Sequence, residues 1–133
     1  MNSLILPATR STPGVWFEPE AGRFELTGNS IPENANEFYQ PVIEWLANHL
    51  HDLKGAQVMD FHLSYFNSTS LKAIYQLLKQ IKESCTMGAT IRVRWFAEDD
   101  DELLVETVAM LSEMLDMPME ILPANEDKLK AIG

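Results

Sequence analysis

Asn67-Ser68-Thr69-Ser70 sets three hydroxyls and an amide in a row, the side chains of this sequence most open to being acted upon. The segment before it alternates Met59, Phe61, Leu63 and Tyr65 with Asp60, His62 and Ser64. A period of two marks a strand with one buried face. Behind the cluster, from Leu71, apolar residues recur at helical spacing, and Asn, Ser and Thr are residues that cap helices. A strand therefore runs into a helix through a hydroxyl-rich turn. One side chain is enough for a cap, so the others stand exposed at the carboxyl end of a strand, beside the free N–H groups of a helix start. A phosphoryl group there adds about −1.5 to −2 charge and three strong acceptors. The helix N-terminus tolerates that charge, Lys72 lies close by, and an acidic partner or a docking surface is repelled or blocked. On the residues alone, plain capping and a phosphorylation switch are both readings of this turn.

The other reactive side chains are less telling. Asp60 and His62 lie two apart on one strand face and suggest acid–base or metal chemistry. Two ligands are too few for a metal, and His49 and His51 have no evident route to that face. A polar sheet face is the preferred reading, and a small enzyme using His62 and Asp60 is the alternative. Cys85 is the only cysteine, which excludes an intrachain disulfide and argues against a zinc cluster or a catalytic thiol. The chain has neither G-x-x-x-x-G-K nor G-x-G-x-x-G, so no nucleotide site and no cofactor are expected. Met110, Met114, Met117 and Met119 are assigned to the core, with an adaptable binding surface as the other option. The acidic run 98–102 is either a docking patch or the solvated first turn of a helix.

A chain of 133 residues with 46% hydrophobic and 23% charged residues fits a single globular domain over 1–133, with 124–133 as a polar tail. A net charge of −10 argues against binding nucleic acid or an anionic membrane and points to a protein partner. No apolar run is long enough to span a bilayer and the N-terminus lacks a basic leader, so a cytoplasmic place is expected.

Several elements must position the turn. Residues 3–9 read as a short edge strand ended by Pro7. Val15–Glu18 and Arg23–Gly28 flank a Gly-containing connection and read as a hairpin. Phe38, Tyr39, Val42, Ile43, Leu46 and Leu50 form a helical stripe over about 35–52. Pro41 within it favours a late start near Glu37. The strand at 57–66 and the helix from Leu71 follow. A second alternating strand, Thr90–Phe96, precedes the acidic run, a helix through Leu115, and a last strand at Met117–Leu122. This order implies a largely parallel core sheet with an N-terminal hairpin. Because the strands alternate, the helices are placed mainly on one face. The other face, with Asp60, His62, Arg92 and Arg94, is expected to be wet or to form an interface, with Asp–Arg pairs across neighbouring strands.

The strand–turn–helix unit resembles the phosphorylatable loop of STAS-domain anti-sigma factor antagonists, in which Asp-Ser-Ser/Thr-Gly stands where this chain has Asn67-Ser68-Thr69-Ser70. A fuller resemblance is to the SiaC family of bacterial regulatory phosphoproteins. It is carried by Ser11-Thr12-Pro13, Ala21-Gly22-Arg23, Pro32-Glu33-Asn34 and Asp60-x-His62-Leu63-x-Tyr65-x-Asn67, in matching order over most of the chain. That resemblance implies an α/β, STAS-like mixed sheet and a non-enzymatic protein. It also implies phosphorylation by a partner Ser/Thr protein kinase, removal by a PP2C-type phosphatase, and binding of a diguanylate cyclase. The unphosphorylated form would promote cyclic-di-GMP synthesis, and so affect aggregation and biofilm. The family's acceptor is the threonine directly after the Asn, which matches Ser68 here, with Thr69 as the alternative. Asn67 and Ser70 then shape the switch, with Lys72 and Tyr65 as its neighbours. A STAS-like anti-sigma factor antagonist and an adaptor that is never phosphorylated are the competing readings.

Overall fold

The alternating segments pair side by side in their order along the chain. In a computed structural model that describes residues 3–124, six strands form one mixed sheet: β1 (Leu4–Leu6), β2 (Gly14–Glu18), β3 (Arg23–Ser30), β4 (Ala56–Phe66), β5 (Thr90–Ala97) and β6 (Glu120–Pro123). β1 to β3 run antiparallel, and β3 to β6 are parallel. Each parallel connection contains a helix: α1 (Ala35–His49), α2 (Ser68–Thr86) and α3 (Glu102–Leu115). The expected mixed sheet with its appended hairpin is the one observed. The helices cover one face, where Phe17, Leu26, Phe61 and Trp95 share a single buried cluster with Tyr39, Leu46, Leu77 and Leu111. Phe61 and Trp95 stack at 4.4 Å with 10° between their planes. The opposite face holds the anticipated cross-strand pair: Asp60 sits opposite Arg94, whose Nε and Nη2 donate to the two carboxylate oxygens at 2.7 Å each. Arg92 makes the same fork to Glu120, at 2.9 and 2.7 Å. This face is not uniformly wet, because Phe96 lies buried on it with His62 stacked against its ring at 4.2 Å.

Two helix starts differ from the sequence reading. α1 begins at Ala35 rather than near Glu37, because Asn34 caps it by accepting the Glu37 N–H at 3.0 Å. Pro41 is accommodated inside the helix. It forfeits one bond, to the Glu37 carbonyl, and both residues lie on the exposed side of the helix. α2 begins at Ser68, not Leu71, so the hydroxyl cluster is the first helical turn and not a loop ahead of it. The methionines divide: Met117 is buried and Met119 half-buried, but Met110 and Met114 are exposed on α3, against their assignment to the core. Apart from Ala124, the expected polar tail lies outside the described residues.

Candidate functional site

The end of β4 and the start of α2 are fixed by Asn67. Its side-chain oxygen accepts the Ser70 N–H at 2.9 Å and the Thr69 hydroxyl at 3.0 Å, and its carbonyl accepts the Leu71 N–H at 2.9 Å. This is an N-cap: its side chain satisfies one of the leading N–H groups that lack a partner within the helix, and its carbonyl accepts the first intrahelical bond. The Asn67 N–H in turn donates to the Ser30 carbonyl at 3.2 Å, which ties the turn to the end of β3. A bulge in the β3–β4 pairing lies next to it, at Gly28/Asn29. Gly28 there has φ +113°, a conformation that side-chain-bearing residues avoid.

The three hydroxyls of this turn have different fates. Ser70 is fully buried, and its hydroxyl donates to the Ser30 carbonyl at 2.8 Å while accepting from the Ser30 hydroxyl at 2.9 Å. With the Ser30 proton committed, the 2.6 Å contact between Ser30 and Tyr39 is a bond that Tyr39 donates. A directed chain, Tyr39 to Ser30 to Ser70 and back to the Ser30 carbonyl, therefore locks α1, β3 and the first turn of α2 together. Thr69 is exposed, but its hydroxyl is held by Asn67. Ser68 is exposed, and its hydroxyl has no hydrogen bond among the described residues.

Burial pushes the Tyr39 phenol from 10.0 up to about 12. Below pH 10 the phenol is protonated in folded and unfolded chains alike, and its contribution to stability is complete. Between the unfolded value and about 12 the unfolded chain ionises first, so stability falls as pH rises through that window. A shift of this size corresponds to about 2–3 kcal/mol. In chemical denaturation at stepped alkaline pH, Tyr39→Phe should flatten this part of the decline relative to the wild type. Parallel slopes would show that Tyr39 does not govern it.

Ser68 opens onto a groove of about 270 Å3, lined also by Tyr65, Leu71, Asp101, Leu103 and Thr107. Tyr65, at the end of β4, is 59% exposed beside it. Lys72 is exposed one helical turn after Ser68, at the i, i+4 spacing that lets opposite charges meet. Asp101 does two things: it lines this groove, and it caps α3 by accepting the Leu104 N–H at 3.1 Å. The acidic run thus supplies a cap at Asp101 and only Glu102 to the first turn of α3. Asp60 and His62 do not converge on a cleft. Asp60 is forked by Arg94, whereas His62 borders a depression of about 340 Å3 that Asp60 does not line. No group of three or more metal-binding side chains gathers among the described residues. Among these residues, no helix is long and apolar enough to cross a membrane.

Ser30 and Tyr39 are the site residues that sequence reasoning did not single out. In the sequence Ser30 reads as the residue where the second hairpin strand ends and a turn or helix start begins, and Tyr39 as one member of an apolar stripe. The available signal was the phenol itself, since a buried tyrosine hydroxyl needs a partner.

Residues 6–124 match the profile of the SiaC family regulatory phosphoproteins. The chain belongs to the SiaC family. An uncharacterized protein of Pseudomonas aeruginosa (strain UCBPP-PA14) is 31% identical over 121 residues, which cover 91% of this chain and 96% of the relative. Among solved structures, apo-SiaC from Pseudomonas aeruginosa is 31% identical and superposes with a TM-score of 0.80, covering 92% of this chain and 99% of that one. SiaC from the same organism has also been solved in complex with the diguanylate cyclase SiaD, which it activates. That structure gives a TM-score of 0.81 at 31% identity, over 90% of this chain and 98% of that one. Several of the segments that carry the SiaC resemblance meet in space at the end of β3. The Ile31 N–H donates to the Ser11 carbonyl at 2.8 Å, Asn34 caps α1, and Asn67 binds the Ser30 carbonyl.

Proposed function

We propose that this SiaC-family regulatory phosphoprotein is a switch without catalytic activity of its own, operated at Ser68. While Ser68 is unmodified, the surface around the turn and α2 binds a diguanylate cyclase and promotes cyclic-di-GMP synthesis. A cytoplasmic Ser/Thr kinase moves the γ-phosphoryl of ATP to Ser68 Oγ, releasing ADP and the hydroxyl proton, and a PP2C-type phosphatase hydrolyses the ester. The observation that carries the assignment is the contrast among three neighbouring hydroxyls. Ser70 is buried and Thr69 is engaged by Asn67, whereas Ser68 is exposed without an internal bond. A phosphate there stands at the positive end of α2, with Lys72 one turn on. The cyclase is inferred from the Pseudomonas SiaC–SiaD complex.

Incubation with the cognate kinase and ATP, followed by peptide mapping in a mass spectrometer, tests the site. One phosphate on Ser68 is expected, lost in Ser68→Ala and kept in Thr69→Ala. A phosphate confined to Thr69, or one outside residues 67–70, overturns the assignment to Ser68.

A further inference from the structure

α3 divides into three faces. Leu104, Val108, Leu111 and Leu115 are buried against the sheet and α2. Beside them runs a second apolar row left in solvent: Leu103 is 75% exposed, Met110 43% and Met114 60%. Glu102, Glu106 and Glu113 follow at helical spacing along the far border of that row, all exposed. The exposed row faces α2 across a groove of about 430 Å3, walled by Leu71, Tyr75, Met110 and Met114, with Lys72 on the α2 side. Leu71 also lines the groove into which Ser68 opens, so the two grooves adjoin at Leu71 and together make a trench with Ser68 at one end. Large apolar side chains left in solvent along a single channel mark an interaction site. Methionines suit such a channel because their unbranched side chains adapt to whatever packs on them.

We infer that this trench receives an amphipathic helix of a partner protein, with its apolar stripe on Leu71, Tyr75, Met110 and Met114 and with Lys or Arg along the edge that meets Glu102, Glu106 and Glu113. The inference rests on the switch reading of Ser68 and adds the chemistry of what is switched. The channel between two helices has the shape that helix-in-groove recognition uses. Charge selects the occupant. A second copy of this chain would bring its own acidic row against the first, and a chain of net charge −10 favours a basic flank. Ser68 stands at the mouth, so its phosphate adds bulk, and a charge that would have to be desolvated, where the apolar stripe of the docked helix must pass.

A fluorescein-labelled Leu/Lys amphipathic peptide of about 18 residues, titrated into the full chain, tests this by anisotropy and by amide NMR shifts. Shifts are expected at Leu71, Tyr75, Leu103, Met110 and Met114, with binding weaker by about tenfold or more in Met110→Gln/Met114→Gln. Both methionines are exposed, so the double variant keeps the fold. Neutralising the rim with Glu102→Gln/Glu106→Gln/Glu113→Gln should weaken binding and reduce its salt dependence, and a Leu/Glu peptide of the same length should not bind. Equal affinity for the methionine variant, or shifts gathered on the open sheet face, overturns the trench. So does sedimentation showing that two copies already cover it. Kinase labelling of the same variant separates the two ideas. Phosphate on Ser68 with peptide binding unchanged in the methionine variant defeats the trench alone. Peptide in the trench of a chain that takes no phosphate at Ser68 defeats the switch alone.

Discussion

Ser68→Asp should abolish activation of the cyclase while leaving the chain folded and at least as stable as the wild type. The two halves of this outcome have different causes. Ser68 is the first residue of α2, where a carboxylate faces the positive end of the helix and gains about 0.3–1 kcal/mol. The substitution is therefore not a folding lesion. The same carboxylate places a fixed negative charge in a groove that Asp101 already lines, beside the apolar side chains of Tyr65 and Leu103. A docked partner would have to desolvate that charge, and an unpaired charge at an interface costs several kcal/mol. Ser68→Ala removes the acceptor without adding charge and should activate constitutively. Thr69→Asp should have a much smaller effect. Cyclic-di-GMP production by the purified cyclase, measured beside urea denaturation of each variant, checks both halves. Full activation by Ser68→Asp would remove Ser68 as the control point.

Trp95→Ala should lower stability by about 3–5 kcal/mol, a large part of the roughly 5–15 kcal/mol that holds a domain of this kind together. Trp95 is fully buried in the middle of β5, stacked on Phe61 and 6.3 Å from the Phe66 ring. Truncation opens a large cavity that the surrounding sheet cannot collapse to fill. Phe66 directly precedes Asn67, so the cavity also removes packing from beneath the turn at 67–70. Trp95→Phe should lose clearly less. Phenylalanine keeps the stacked ring, and the indole N–H that it deletes has no hydrogen-bond partner among the described residues. Urea midpoints for the three proteins provide the comparison. Equal losses for Ala and Phe would show that the stacked ring is not what Trp95 contributes.

Much of this was legible beforehand because it depends on neighbours in the chain. Alternation at Met59–Leu63 and Ile91–Trp95 marked the central strands and the face each buries, but it fails at Tyr65, which was expected on the buried face and lies 59% exposed just past the register shift between β3 and β4. From that face followed the placement of the helices and the pairing of Asp60 with Arg94, found in direct register. The start of α2 was misplaced because apolar spacing begins only at Leu71. The cap at Asn67 acts one turn earlier and leaves no apolar trace. At Pro41, a rule about helix interiors gave way to local exposure, since Pro41 and Glu37 both lie on the exposed side of the helix. Met110 and Met114 share a helical period with core residues, but period does not tell how far around the helix the sheet reaches.

By itself the sequence determined that a strand delivers a hydroxyl cluster to a helix start, in a chain with a single cysteine and neither of the two glycine-rich phosphate-loop patterns. Which hydroxyl is available was decided only by tertiary structure. Ser68, Thr69 and Ser70 are adjacent and chemically alike. They differ because a helical turn aims them in different directions, and because Ser30, forty residues before Ser70, meets only that one. Burial commits Ser70 to the chain of bonds through Ser30 and Tyr39, the cap commits Thr69, and Ser68 is left facing solvent at the mouth of an apolar trench. Availability is set by what packs against a side chain from elsewhere in the fold, and local spacing carries no record of that.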